Sequence, residues 1–274
     1  MSADAPRDLL AEASRPDPER RFGGLRRLHG PVGYERLRGA RIAVIGVGGV
    51  GSWTAEALAR SGVAELTLID LDQVAESNIN RQVHALEDTL GMAKVHALRD
   101  RIGQIHPDCV VHAIEEFIDE DNVAVLLQAD RLDGVIDCCD QVRAKAAIAA
   151  WALAHRVDLV CVGAAGGKVW PHQVEVADLA EVTHDPLLSS LRQRLRQRHG
   201  AARKGRMGVG CVFSREAVRP PQDRCELGND APSAAGDGSL NCAGYGSSVT
   251  VTATFGMVAA ACLIERIVAS APTR

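Results

Sequence analysis

A doubly wound α/β fold with a Rossmann-like, mostly parallel sheet is predicted by three features of this 274-residue chain. Short β-branched runs alternate with helical stretches from residue 41 to 167, the first run stops in a G-x-G-x-x-G turn, and an acid stands at the end of the second. The first strand is Arg41–Ile45, a continuous apolar run of the kind a buried parallel strand shows. Gly46 suits the tight turn, Gly48 a close approach of phosphate to the backbone, and Gly51 close packing of the next helix. That helix reads Ser52–Arg60, with Gly62 at a C′ position. A second strand, Glu65–Ile69, delivers Asp70 where an acid binds ribose hydroxyls. Glycines alone would say little, because strand-to-helix turns need them without any ligand. Together with Asp70 they indicate a nucleotide site.

Ahead of that unit, residues 1–20 read as a loose tail with one helical turn around Leu9 and Leu10. Arg21–Leu37 reads as two short helices separated by Gly30-Pro31. Beyond Asp70, the stretch Asp72–Asn80 is polar and turn-like, followed by Arg81 and Gln82. Gly91 and Lys94 open an amphipathic helix to about Ile105. A third strand covers Val110–Ile114, a helix Asp121–Leu127, and a fourth strand Asp133–Ile136 with Asp137-Cys138-Cys139-Asp140 at its tip. Lys145–His155 is helical, and Leu159–Val162 is a strand ending in Gly163-Ala164-Ala165-Gly166-Gly167. In such sheets ligands sit beyond the carboxyl ends of the strands, so Gly46, Asp70, Asp140 and Gly163 should converge.

Bulk properties bound the remaining choices. The chain is 46% hydrophobic and 24% charged, with a net charge of −4, so nucleic acid could bind only through a local patch, and DNA is not an expected partner. Eight cysteines lie scattered without any C-x-x-C pair, which speaks against a disulfide framework and against zinc. A polar, charged N-terminus and this cysteine usage predict a cytoplasmic protein without a signal peptide. No charge occurs between Asp237 and Glu265, but Thr250, Thr252, Thr254 and Gly256 break up the apolar part. It should fall short of the roughly 20 residues a membrane span requires and form a buried helix.

The strand tips point to chemistry. A nicotinamide dehydrogenase has no need of Arg81, Lys94 and an aspartate at the fourth strand's tip. Arg81 and Lys94 supply cations for a triphosphate, and Asp140 suits Mg²⁺, which prefers carboxylate and phosphate oxygens. Each has a plain alternative: a surface salt bridge for Arg81, an exposed helix position for Lys94, an N-cap for Asp140.

These motifs resemble a known superfamily. GVGGVGS at 46–52, DLD at 70–72, SNINRQ at 77–82, GMAK at 91–94 and DCCDQ at 137–141 are similar to the ubiquitin-activating-enzyme-like adenylating proteins, which include the activators of thiamin and molybdopterin sulfur carriers. RFGG at 21–24, GAAGG at 163–167, DPL at 185–187, CVFS at 211–214 and NCAGYGSSVTVTATFG at 241–256 resemble the branch of tRNA threonylcarbamoyladenosine dehydratases. The resemblance implies one adenylation domain over 21–274, with 168–274 facing the substrate. It implies an ATP site made of Gly46, Gly48, Gly49, Gly51, Asp70, Asp72, Asn78, Arg81, Gln82 and Lys94, with Asp70 on the ribose and Asp140 holding Mg²⁺. Arg21 matches an arginine that reaches into a neighbouring subunit, which implies a homodimer; Arg21, Arg81 and Lys94 are the implied catalytic cations. A monovalent cation and, as partner, the sulfur-acceptor protein of a cysteine desulfurase also belong to this expectation.

The implied reaction is ATP-dependent dehydration of threonylcarbamoyladenosine beside the anticodon of tRNA. The alternatives are an adenylyltransferase acting on a sulfur-carrier protein and a nucleotide-binding scaffold in sulfur trafficking. Cys242 lies in a loop flanked by Gly244, and in thioester-forming relatives a cysteine carries the acyl group; its other reading is a small buried hydrophobe. Cys138 and Cys139 read as packing. Last, Leu187–Arg206 is strongly basic: Leu188, Leu191 and Leu195 give it a packing face, while Arg192, Arg194, Arg196 and Arg198 are either a solvated face or contacts for RNA phosphates.

Overall fold

The computed structural model describes residues 16–220 and 245–270. Its centre is a seven-stranded sheet in the order β3-β2-β1-β4-β5-β7-β6. The strands are β1 (Arg41–Ile45), β2 (Glu65–Ile69), β3 (Val110–Ile114), β4 (Gly134–Asp137), β5 (Asp158–Val162), β6 (Val174–Asp178) and β7 (Gly210–Ser214). All pair in parallel except β6, which runs antiparallel to β7. Chain order reverses between β1 and β4, where Ile45 faces Asp137 in register. Such a switch point opens a crevice beyond the strand tips.

The inner strands are apolar on both faces because helices cover both. Ile42 and Val44 point to one layer, containing α1 (Pro18–Gly39), α2 (Gly51–Arg60), α3 (Lys94–Ile105) and α7 (Val249–Ala269). Ala43 and Ile45 point to the other, containing α5 (Val142–His155) and α6 (Pro186–Arg198). Asp17 caps α1, accepting from the Glu19 and Arg20 amides, so helix begins inside the stretch expected to be tail. Gly30, with φ 71° and ψ 170°, breaks α1 into the two expected segments.

Three expectations need correction. The helix foreseen over Asp121–Leu127 is one turn, α4 (Val123–Leu126). Asp119 takes the amides of Asp121 and Asn122 on one carboxylate oxygen, a local turn that competes with helix. The second correction is the β6–β7 pair, which extends the sheet where no strand was foreseen. The third is α7, at 21 residues with a mean hydropathy of 1.7, long and apolar enough to cross a membrane by length and composition. Its threonines fit within the helix, so the apolar run is longer than their spacing suggested. Val251, Phe255, Ala259, Leu263 and Ile267 nevertheless pack into the core, as expected of a buried helix.

Candidate active site

The turn after β1 is built by two glycines. Gly46 has φ +77° and donates its amide to Ile69 O at 2.8 Å, tying the tips of β1 and β2 together. A Cβ on Gly51 would run into the Gly46 carbonyl oxygen, so α2 starts flush against the turn. Asp70 then locks the loop: its Oδ2 accepts Val47 N at 2.7 Å and its Oδ1 accepts Asp72 N at 2.9 Å. Burial raises the Asp70 pKa above the ordinary value, against the pull of Lys94. Each oxygen keeps a lone pair for a further donor.

Two helix N-termini meet here. Neither α2 nor α3 has a side-chain cap, which leaves their positive ends available to an anion. Lys94, at the start of α3, is only 6% exposed; its Nζ donates to Asp72 Oδ2 at 2.7 Å. Two of its three donors have no partner in that ion pair. Arg81 is anchored through Nη1 to Ser77 O at 2.8 Å and Asn80 Oδ1 at 3.0 Å, and burial draws its pKa down from the ordinary arginine value. Asn78 folds this segment by taking the amides of Arg81 and Gln82 on its carbonyl and that of Ala75 on its side chain. Gln82 Oε1 is buried without a partner among the described residues.

These groups line a cavity of about 430 Å³, bounded by Gly46, Gly48, Gly49, Asp70, Asp72, Asn78, Arg81, Gln82, Lys94 and Asp140. A smaller recess of about 90 Å³ adjoins it, walled by Ile69, Leu71, Phe117, Ile118 and Ala144 and sharing Gly46, Asp70, Asp72 and Asp140. Asp140 stands on a rigid tip. Beneath it Lys145 Nζ lies 3.0 Å from Asp137 Oδ2, both side chains wholly buried, and Asp137 Oδ1 accepts Cys139 N at 3.0 Å. Burial opposes the charge on Lys145, but the Asp137 carboxylate overrides it and raises the lysine pKa. Burial also pushes the Cys138 thiol up to about 12 and Cys139 well above the ordinary range, which keeps both neutral where they line the cavity.

Comparison with known proteins gives the family and the fold. A profile of the ThiF family matches residues 22–273. The chain belongs to the ThiF family. It is 44% identical over 254 residues to the tRNA threonylcarbamoyladenosine dehydratase of Escherichia coli K12, covering 92% of this chain and 94% of that protein. The Haemophilus influenzae tRNA threonylcarbamoyladenosine dehydratase is 39% identical over 252 residues, covering 91% and 94%. The crystal structure of the E. coli tRNA N6-threonylcarbamoyladenosine dehydratase in complex with ATP superposes with a TM-score of 0.80 at 41% identity, covering 91% and 94%.

Not every expected site residue of this ThiF-family chain lines the cavity. Arg21 is exposed on α1, away from the cavity lining, with Nη1 donating to Ile105 O at 2.6 Å. Cys242 lies outside the described residues. Arg192, Arg194, Arg196 and Arg198 sit on α6 rather than at the cavity. Arg192 donates to the carbonyls of Leu179 and Val182, Arg194 pairs with Glu120 at 3.0 Å, and Arg196 donates to Ala202 O. Arg198, Arg203, Lys204 and Arg206 are exposed.

Gly163 converges on the cavity as expected, and its neighbours enter with it. Gly163–Gly166 form one wall, held by Asp185, whose Oδ2 accepts Ala164 N while its Oδ1 caps α6 at Leu188 N. Leu187, Tyr245, Ser247 and Thr252 complete the lining. Their motifs were visible, but which side chains face the cavity follows from α7 crossing α2.

The arrangement fits a nucleoside triphosphate. The uncapped helix ends and two cations suit phosphates, and the apolar recess beside Asp70 suits a nucleoside. It also fits Mg²⁺ held largely by phosphate and water. Among the described residues no three His, Cys, Asp or Glu side chains cluster as ligands, and Mg²⁺ commonly needs only one or two carboxylates beside the phosphates.

Proposed function

We propose that this ThiF-family chain is an ATP-dependent dehydratase of threonylcarbamoyladenosine in tRNA. The observation that carries this reading is likeness along nearly the whole length to proteins of that name, joined to a cavity with the charges and shape ATP requires. In this reading the adenine enters the recess lined by Ile69, Phe117 and Ala144, and Asp70 accepts from the ribose hydroxyls. The start of α2, Arg81 and Lys94 hold the phosphates. Asp140, with Asp72 nearby, holds Mg²⁺, which when bound neutralises charge on the phosphates.

A carboxylate is a poor electrophile, and activation makes one of its oxygens a leaving group. The threonyl carboxylate oxygen attacks the α-phosphorus and pyrophosphate departs. The carbamoyl group then attacks the activated carbonyl carbon within the same molecule, AMP leaves carrying the former carboxylate oxygen, and one proton is released. The nucleoside thus loses the elements of water, its oxygen ending in AMP, and ATP ends as AMP and pyrophosphate. Positioned donors such as Arg81 and Lys94 are each typically worth about 3–4 kcal/mol where charge builds. Intramolecular attack needs no external nucleophile, so no cysteine has to act.

The reading extends to a homodimer in which exposed Arg21 serves the partner's cavity. It extends also to RNA contact through the basic end of α6, where Arg198, Arg203 and Lys204 face solvent while Arg192 and Arg194 hold the helix in place. The test is pyrophosphate release in the presence of MgATP. Release should require tRNA that carries threonylcarbamoyladenosine. Release driven instead by the C-terminal carboxylate of a sulfur-carrier protein, with no response to tRNA, would replace this reading with the adenylyltransferase one.

A further inference from the structure

Trp170 stands out in a chain whose aromatic residues amount to 3%. It is 46% exposed, whereas Trp151 is buried and half-buried Trp53 spends its indole N–H on Arg81 O. Leaving a tryptophan half in water forgoes much of the burial such a side chain offers, so an ordered one at a site's edge asks for an explanation.

The loop that carries Trp170 is anchored by two buried charges. Lys168 is 1% exposed and donates to the carbonyls of Ser214 at 2.8 Å and Glu216 at 3.4 Å. Glu216 is 3% exposed, and its carboxylate accepts the amides of Val169 and Trp170. Arg219 pairs with that same carboxylate at 3.4 Å and lays its guanidinium over the Trp170 ring, 4.9 Å from the centroid. One ring face is thus backed by a cation, and the indole is preorganised rather than loose.

Position ties this platform to the cavity. Trp170 lies four residues beyond Gly166 in the loop whose first part, Gly163–Gly166, forms the cavity wall. Four residues reach at most about 14 Å. Gly167 strengthens the link, its amide donating to Gly246 O at 2.8 Å, between the cavity-lining Tyr245 and Ser247.

We propose that Trp170, backed by Arg219, is a stacking platform for an unpaired RNA base flanking the nucleoside that enters the active site. The occupant's chemistry follows from the parts. A flat exposed indole takes the face of any base, and the guanidinium beside it adds positive charge for the adjoining phosphate. Glu216 and Lys168 act as positioning residues. The inference rests on the tRNA reading above and names where that substrate is gripped.

Two measurements test it. First, an anticodon stem-loop RNA should quench a fraction of the protein's tryptophan fluorescence, and Trp170→Ala should abolish that fraction. Second, Trp170→Ala should raise the KM for tRNA roughly 5- to 150-fold, the range one base–aromatic stack is worth. Its KM for ATP should stay within the assay's scatter, and Trp170→Phe should restore most of the loss. Wild-type turnover on modified tRNA separates the two readings. If wild type dehydrates tRNA but Trp170 is not quenched and its alanine variant keeps the wild-type KM, the platform is wrong and the function stands. A parallel loss of ATP affinity in Trp170→Ala, without rescue by phenylalanine, would make the residue structural and overturn the proposal as well.

Discussion

His84 makes the fold sensitive to acid, and the size of the effect can be worked out. It is 1% exposed, and neither ring nitrogen has a partner among the described residues. Burial, helped by the nearby charges of Lys94 and Arg101, pushes its pKa from 6.5 down to about 4. Between those values the unfolded chain binds the proton and the folded chain refuses it. Stability therefore rises with pH across this window. The contribution is whole above about 6.5 and is lost as the pH falls towards 4, amounting to about 2 kcal/mol by pH 5 and about 3 kcal/mol by pH 4. His84→Leu keeps a side chain of similar bulk without the titrating ring. Urea unfolding at pH 7 and pH 5 should show wild type losing about 2 kcal/mol more than the variant over that interval. His106, whose pKa is also lowered by burial and by Arg38, is present in both proteins and cancels. Equal losses in the two proteins would mean that His84 is not held neutral by the fold.

Two further outcomes follow from the site. Asp137→Asn or Lys145→Met alone strands a buried charge and should cost roughly 3–5 kcal/mol in denaturant unfolding, while combining Asp137→Leu with Lys145→Met should recover much of it; additive losses would refute the pairing. If Arg21 serves the partner's cavity, Arg21→Ala and Asp140→Ala should each be inactive as homodimers yet regain activity when mixed and allowed to exchange subunits. No recovery after verified exchange would place both residues' work within one chain.

Legibility in the sequence followed burial only in part, since buried β7 was missed together with its neighbour β6. β1, β2, β4 and β5 were readable because each is a short apolar run stopped by glycine or a polar cluster, the pattern forced on strands covered on both faces; β3, at a sheet edge and largely uncovered, showed through its β-branched residues alone. β6 was not, because at the sheet edge Val174–Asp178 is only partly covered and Val176 is half exposed. The helix expected over Asp121–Leu127 shrank to α4 because Asp119 and Asn122 spend their side chains on a local turn. The cavity residues near the glycine turn were legible because one βαβ unit carries Gly46 to Lys94. Tyr245 and Thr252 were not, since their place depends on how α7 packs across α2. Charge on α6 was plain, yet its direction was not: only the structure shows Arg192 turned inward onto the carbonyls of Leu179 and Val182.

Mass spectrometry of tRNA nucleosides reads the dehydration itself. Purified protein is incubated with MgATP and tRNA bearing threonylcarbamoyladenosine, and the nucleosides are then released under mild conditions. Threonylcarbamoyladenosine should be replaced by a product lighter by one water, only when ATP is present. Unchanged threonylcarbamoyladenosine, in a sample that binds ATP and tRNA normally, would contradict it.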